Sequence, residues 1–250
     1  MIYIQRSRGY AWRNAITISQ IENIITEIKK VNNTSVIFVD NCYSEFVETK
    51  EPTEVGADLM IGSLIKNPGG GMAPTGGYVA GKEKYVNLVA NRIISPSLGF
   101  EVGSYAYGYR LYYQGFFMAP HIVLQSLKGA YLLGEAMHKL GYDILPKSHE
   151  TTSDIVKSIK FNTEEELISF VQEIQRNSPI DSNSLPIPWE MPGYDNKVIM
   201  AAGTFVAGAS IEFCCDSPIR APYVAYFQGG LTYEHIKIAT KNIVAKLKKF

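Results

Sequence analysis

Val36-Ile37-Phe38-Val39-Asp40-Asn41-Cys42-Tyr43 is an apolar run that ends abruptly in an acid. A short, continuous apolar run of this kind is the pattern of a strand buried on both faces, as in a parallel sheet. The spacing predicts a strand over 35–39 with the Asp40 carboxylate emerging at its carboxyl end, where open α/β sheets place their ligands. Upstream, Met1-Ile-Tyr-Ile4 reads as a strand. Ser19 and Glu22 form a capping-box pair, and Ile21, Ile24, Ile25 and Ile28 follow at helical spacing. Downstream, 57–61 and 76–81 read as further strands and 82–92 as a helix. The order β-α-β-β-α points to a layered α/β sheet.

Beyond this unit, the apolar spacing predicts a long helix from Pro120 to Leu140. A second, smaller α/β unit follows, with strands over 155–161, 198–202 and 210–214. Its helices run from a Thr163/Glu166 cap to Arg176 and from Thr232 to Lys249, and Pro179, Pro186, Pro188 and Pro192 mark a loop between them. The organisation expected is therefore 1–118, a bridging helix over 119–143, and 144–250.

Composition narrows the function. Lys plus Arg and Asp plus Glu both total 24, so there is no basic excess of the kind that nucleic acid or a membrane surface would attract. Cys42, Cys214 and Cys215 lack a C-x-x-C spacing, and adjacent cysteines bridge poorly. With no signal-peptide pattern or long apolar stretch, the expectation is a cytoplasmic protein. His121, His138, His149 and His235 show no metal-ligand spacing, so no metal site is expected.

The second decisive stretch is Gly62-Ser63-Leu-Ile-Lys66-Asn67-Pro68-Gly69-Gly70-Gly71, a lysine at the mouth of a glycine-rich turn. An acid at a strand end and a lysine on a later loop are what pyridoxal phosphate (PLP) chemistry requires. The lysine carries the cofactor as a Schiff base, and the acid keeps the pyridine nitrogen protonated. Asp40 also suits an Asx turn, and Lys66 alone suits a surface loop. Tyr43 lies close enough in sequence to approach a cofactor ring or to sit in the core. Ser63 is placed to hold a phosphate beside Lys66. The glycines allow close approach of the backbone to a ligand or a neighbouring subunit.

Ser63-Leu-Ile-Lys66 also fits S-x-x-K, the nucleophile and base of an acyl-transfer enzyme. That motif should open a helix and needs S-D-N and K-T-G partners, neither of which occurs. Arg220, in a proline-stiffened loop, suits a bidentate grip on a substrate carboxylate, or an ion pair with Asp216 or Glu212. Arg6 and Arg8 fit either a polar face or an anion site. The tyrosines at 105, 107, 109, 112 and 113, followed by Phe116 and Phe117, fit a core or a subunit interface.

The segment Asp40-Asn41-Cys42-Tyr43 with the later Ser63-x-x-Lys66 resembles the fold-type I PLP enzymes of cysteine and methionine metabolism. Longer words sharpen this: Ile4-Gln-Arg-Ser-Arg-Gly-Tyr10, Gly62-Ser-Leu-Ile-Lys-Asn-Pro-Gly-Gly-Gly71 and Tyr226-Phe-Gln-Gly-Gly-Leu-Thr-Tyr-Glu234 are similar to the aluminium resistance family, related to methionine gamma-lyase. The resemblance runs the length of the chain. It implies the C-terminal part of an aminotransferase-like large domain plus the small C-terminal α/β domain, with PLP held by Lys66, Asp40, Ser63 and Tyr43 and the amino-acid substrate by Arg220. It also implies carbon–sulfur elimination from a sulfur amino acid, and a homodimer or tetramer. Fold-type I chains are normally much longer. The expectation is thus a lyase-type protein incomplete in this chain, or a non-catalytic fragment or subunit that needs the missing N-terminal half, and in either case one prone to self-association.

Overall fold

A computed structural model describes residues 1–206 and 208–247. The first sheet has the order β1-β2-β3-β4. Strands β1 (Ile2–Gln5), β2 (Ile37–Asp40) and β3 (Leu59–Ser63) are parallel, and β4 (Gly77–Gly81) returns antiparallel to β3. The crossover from β1 to β2 is helix α1 (Ile18–Val31), which lays Ile18, Ile21 and Ile25 over Ile4, Ile37 and Val39. Among the described residues, β1 pairs only with β2. Its outer edge carries exposed Ile2 and Tyr3.

Helix α1 begins earlier than its expected Ser19/Glu22 cap. Thr17 is the N-cap, its hydroxyl accepting from the Gln20 amide while the Gln20 side chain accepts from Thr17's own backbone N–H. The same reciprocal pairing is displaced by two residues because it must precede Ile18, the first buried position of the apolar stripe. Helix α2 (Glu83–Ile93) follows β4.

Helix α3 spans Arg110–Lys139, ten residues longer at its start than the sequence suggests. Pro120 lies inside it rather than at its N-terminus. Its last turns cross to the second unit, burying Leu133 and Met137 there. The glycine turn seats on the first part of α3: a Cβ on Gly70 would strike the Gly115 carbonyl oxygen, and one on Gly115 would strike that of Gly69. The close approach served by these glycines is to the chain's own helix.

The second sheet, β5-β6-β9-β8-β7, is antiparallel throughout. Its strands are β5 (Asp143–Leu145), β6 (Lys157–Phe161), β7 (Val198–Ala201), β8 (Cys214–Pro218) and β9 (Tyr223–Gln228). The strand expected over 210–214 is a correction: 210–213 form bends, and the strand runs on from Cys214 instead. Strands β5 and β9 are not foreseen by the sequence reading. Helices α4 (Glu164–Arg176) and α5 (Tyr233–Leu247) join α3 on one face, enclosing Ile159, Phe170, Ile174, Phe227 and Ile243. At the end of α5, residues 248 and 249 of the basic run lie outside the described residues.

Candidate active site

Strand periodicity builds one wall of the site. In β8 and β9, Cys215, Ala225 and Phe227 point into the core, whereas Asp216, Tyr226 and Gln228 face the other way. That outer face meets the carboxyl ends of β1 and β2 across a cavity of about 580 Å³. Asp40, Tyr43, Lys66 and Arg220 all line it, so four of the five candidate residues converge. Ser63 ends β3 opposite Gly77 and is not among the lining residues; its carbonyl accepts from the Lys66 backbone N–H at 3.2 Å.

Asp40 is half-buried at the end of β2. Its Oδ1 accepts the Cys42 backbone N–H at 3.0 Å, and its Oδ2 accepts the Tyr3 hydroxyl at 3.1 Å. The Asx turn leaves Asp40 on the cavity wall, one oxygen ending the strand while the carboxylate fronts the cavity. Burial, reinforced by Asp40, pushes the Tyr3 phenol up to about 12, so it acts as a neutral donor. The Cys42 thiol is pushed up to about 11, chiefly by burial, and stays protonated at neutral pH.

Lys66 is held from both sides. The Ile65 carbonyl accepts from Ile211 N–H at 3.2 Å, and the Asn67 side-chain amide donates to the Glu45 carbonyl at 3.0 Å. Its Nζ lies 4.4 Å from the centroid of the Tyr43 ring, a cation–π geometry. Tyr43 has φ +69°, a left-handed conformation unfavourable for a bulky residue. Strain of this kind persists where the surroundings hold it in place. Here Ile155 N–H donates to the Tyr43 carbonyl at 3.0 Å, and Gln228 Nε2 donates to its hydroxyl at 3.4 Å. Among the described residues Lys66 has no carboxylate within 4.0 Å.

Arg220 is exposed at the rim, with Nη2 donating to the Tyr10 carbonyl at 3.3 Å. It makes no ion pair with Asp216 or Glu212. Arg6 and Arg8 are fully buried and internally occupied. Arg6 bonds Asn41 at 2.8 Å and Glu48 at 2.5 Å. Arg8 grips Asp154 with Nη2 at 2.8 Å and Nε at 3.3 Å. They hold the segment after β1 in place and leave no free charge for an anion.

Three site residues escape the sequence reading: Tyr10, Asp216 and Gln228. The Tyr10 hydroxyl donates to Asp216 at 2.7 Å, and Gln228 donates to Asp216 at 3.3 Å. Burial raises the Asp216 carboxyl above its ordinary value, while Tyr10, Gln228 and Lys66 pull it back. The one signal in the sequence is positional, Asp216 standing four residues before Arg220; the pairing of Asp216 with Tyr226 and of Cys214 with Gln228 is visible only in the folded sheet.

The donor set fits PLP. A lysine amine without an ion-pair partner, an acid at a parallel strand's end and an aromatic ring share one cavity. The S-x-x-K reading loses its helix, because Ser63 lies on a strand and Lys66 precedes only a short 3₁₀ turn. Among the described residues no cluster of His, Cys, Asp or Glu is arranged to hold a metal, and no helix is long and apolar enough to cross a membrane.

Comparison with known proteins gives concordant matches. A family model described as methionine gamma-lyase matches residues 1–248. The Bacillus subtilis protein YnbB is 52% identical over 247 residues, covering 99% of this chain and 59% of YnbB. The crystal structure of a carbon-sulfur lyase involved in aluminum resistance from Clostridium novyi superposes with a TM-score of 0.90 at 48% identity, covering 98% of this chain and 57% of that one. The metB protein of Corynebacterium glutamicum, at 16% identity and a TM-score of 0.61, shares the fold. The chain thus spans less than two thirds of the length of each of these relatives.

Proposed function

The chain belongs to the methionine gamma-lyase family, and from that premise we propose that it is the cofactor-bearing portion of a PLP-dependent lyase that cleaves carbon–sulfur bonds in sulfur-containing amino acids. The observation that carries this reading is the convergence of Lys66, Asp40 and Tyr43 on one cavity between the two sheets.

Lys66 Nζ would hold the cofactor's carbonyl carbon and Asp40 its ring nitrogen. When bound, the pyridine ring supplies an electron sink for the carbanion formed at the substrate's α carbon. The rest is done by the chain's own groups. Arg220, exposed at the rim and without an acid partner among the described residues, would bind the substrate carboxylate. Lys66, with no carboxylate to hold it, moves the proton from the α carbon. Tyr43 supports the amine from below and limits where it can swing. Ser63 retains a proposed role as phosphate ligand, which would need its hydroxyl to reach the cavity from the end of β3.

A second reading is favoured by two observations, the coverage of only 59% of YnbB and the edge of β1, unpaired among the described residues. In that reading the chain is a subunit or remnant that requires a further polypeptide segment for turnover. The experiment is to incubate the purified chain with PLP, reduce with borohydride and map the modified peptide by mass spectrometry. Saturable labelling of Lys66, lost in Lys66→Ala and weakened at least tenfold in Asp40→Ala, supports the lyase reading. Labelling scattered over surface lysines overturns it for this chain. Labelling at Lys66 with no cleavage of sulfur amino acids identifies the partner-dependent form.

A further inference from the structure

Asp216 has no task in the chemistry above, yet it occupies the cavity wall. Its Oδ2 accepts from the Tyr10 hydroxyl at 2.7 Å and its Oδ1 from Gln228 Nε2 at 3.3 Å. These two donors favour the ionised carboxyl against the effect of burial. An ionised carboxylate only accepts hydrogen bonds, so Gln228 must turn its amide nitrogen, not its oxygen, to that side. The same Nε2 lies 3.4 Å from the Tyr43 hydroxyl. Its two hydrogens go one to each acceptor, and the buried Gln228 side chain is held in one orientation.

Tyr43 is the ring over which Lys66 Nζ lies, 4.4 Å from the centroid. Ile155 fixes its backbone and Gln228 its hydroxyl. Fixing both ends removes the freedom of the side-chain torsions between them. The anchor continues past Gln228, because Asp216 is tied to Tyr10, whose ring packs on Tyr226 at 5.4 Å and on Tyr194 at 5.6 Å. Tyr10, Asp216, Gln228 and Tyr43 thus form one line of contacts that ends under the amine. Tyr10 and Tyr43 follow strands of the first sheet, whereas Asp216 and Gln228 lie on strands of the second, so the line crosses the junction between the two.

We propose that Asp216 and Gln228 are positioning residues for the reaction: together they clamp the Tyr43 hydroxyl, so that its ring holds Lys66 Nζ in the orientation for attack on the cofactor's carbonyl carbon. The proposal rests on the lyase reading, which makes Lys66 the cofactor-bearing amine. The clamp acts on the amine rather than on the cofactor. Its loss therefore slows the joining of the two without weakening the binding that precedes it.

The test measures the rate of borohydride-trapped labelling of Lys66 in the full chain at increasing PLP. In parallel, Lys66 is methylated with formaldehyde and cyanoborohydride, a small reagent pair that demands no particular orientation of the amine. Gln228→Leu is expected to lower the limiting rate with PLP about tenfold, the equivalent of one hydrogen bond. The half-saturating PLP concentration and the methylation rate stay where they were. Tyr43→Phe keeps the ring and removes only the anchored hydroxyl; it should lose the same factor, and it decides the matter if Gln228→Leu does not fold. The double variant should be no slower than either single one. Asp216→Leu should match Gln228→Leu, whereas Asp216→Asn, which still offers Gln228 an oxygen, should keep the original rate. Unchanged limiting rates in the folded variants, or losses that multiply in the double variant, overturn the proposal. An equal slowing of methylation overturns it too, since the amine would then have been covered or displaced. So does a raised half-saturating concentration at an unchanged limiting rate. The lyase reading fails at a different point: without saturable labelling of Lys66 in the unsubstituted chain, it falls and takes the proposal with it.

Discussion

The two sheets of this molecule meet the same physical demand in different ways. The antiparallel second sheet is covered on one face by three helices and encloses large side chains such as Phe170, Phe227 and Leu133 without exposure. The first sheet has α1 over a smaller apolar cluster built mainly of isoleucines and valines, and its edge at β1 is unpaired among the described residues. Its interior near β2 is held by charges, with Arg6, Asn41, Glu48 and Glu51 bonded together below the surface. The second unit is stabilised by hydrophobic burial. The first depends on polar networks and on what it leans against. The candidate site lies between them, so its geometry is only as firm as their junction.

The junction is the place to break the contrast first. Arg8, from the segment after β1, is paired with Asp154, just before β6, and neither side chain is more than 1% exposed. Ser7 adds a hydroxyl bond to the same carboxylate at 2.8 Å. Asp154→Ala leaves a buried guanidinium without its counter-charge, and should cost about 3–5 kcal/mol. Urea unfolding followed by far-ultraviolet circular dichroism should show this loss as an earlier single transition, or as two transitions if the sheets come apart. A loss below about 1 kcal/mol would mean that the sheets do not depend on this pair.

One buried group in each unit gives a pH signature, and the two signs are opposite. In the first, burial pushes the Glu45 carboxyl up to about 8, with Tyr78 and a backbone amide pulling it back. Its usual value is 4.5, so the folded chain keeps a proton that the unfolded chain gives up. Stability is therefore full below about 4.5 and falls until pH 8. In the second, burial lowers the Lys157 amine to about 8 from 10.5, assisted by Arg8. The unfolded chain then holds the extra proton between those values, and stability rises with pH across them. The stability profile should pass through a minimum near pH 8, each limb on the order of a few kcal/mol. Glu45→Gln should flatten the acid limb alone, and Lys157→Met the alkaline limb alone. Thermal melts at half-unit pH steps check both, and a variant that flattens the wrong limb would reverse the assignment.

The same division governs how far the sequence can be read. Asp40 and Lys66 are legible because their settings are local: an apolar run ending in an acid, and a lysine before a proline–glycine turn. Ile18, Ile21 and Ile25 likewise declare their helix by period. What eludes the sequence is set by tertiary contact. Asp216, Tyr10 and Gln228 come together only through the pairing of β8 with β9 and the return of the segment after β1. Arg6 and Arg8 fit a polar face or an anion site until the fold brings Glu48 and Asp154 to them. The start of α3 is hidden because Pro120 looks like a helix beginning; the helix runs through it, and the missing N–H costs one backbone bond. The tyrosines before it do not enter a core: Tyr105, Tyr107, Tyr109 and Tyr112 stack on one another at the surface.

That surface supplies the smallest effect on stability and the sharpest test of what the first unit lacks. Leu88 and Ile93 on α2, Phe100 and Tyr107 on the connection, and Tyr113 and Phe117 on α3 are all more than half exposed. The second unit's core-forming helices show no comparable array, although Ile238 is exposed on α5. Exposed apolar residues in such density along one stretch favour association, since burying them against another surface removes them from water at about 25 cal/mol per Å². Phe117 is 80% exposed and contributes little to its own chain's packing. Phe117→Ser should thus change unfolding free energy by no more than about 0.5 kcal/mol. Sedimentation velocity should nevertheless show the variant shifted toward monomer at concentrations where the unsubstituted chain self-associates. An equivalent substitution at Ile238 should leave the sedimentation profile where it was, because that residue lies outside the array. If both variants sediment as the unsubstituted chain does, the apolar stretch is not a contact surface between copies, and the first unit's dependence lies at the open edge of β1 instead.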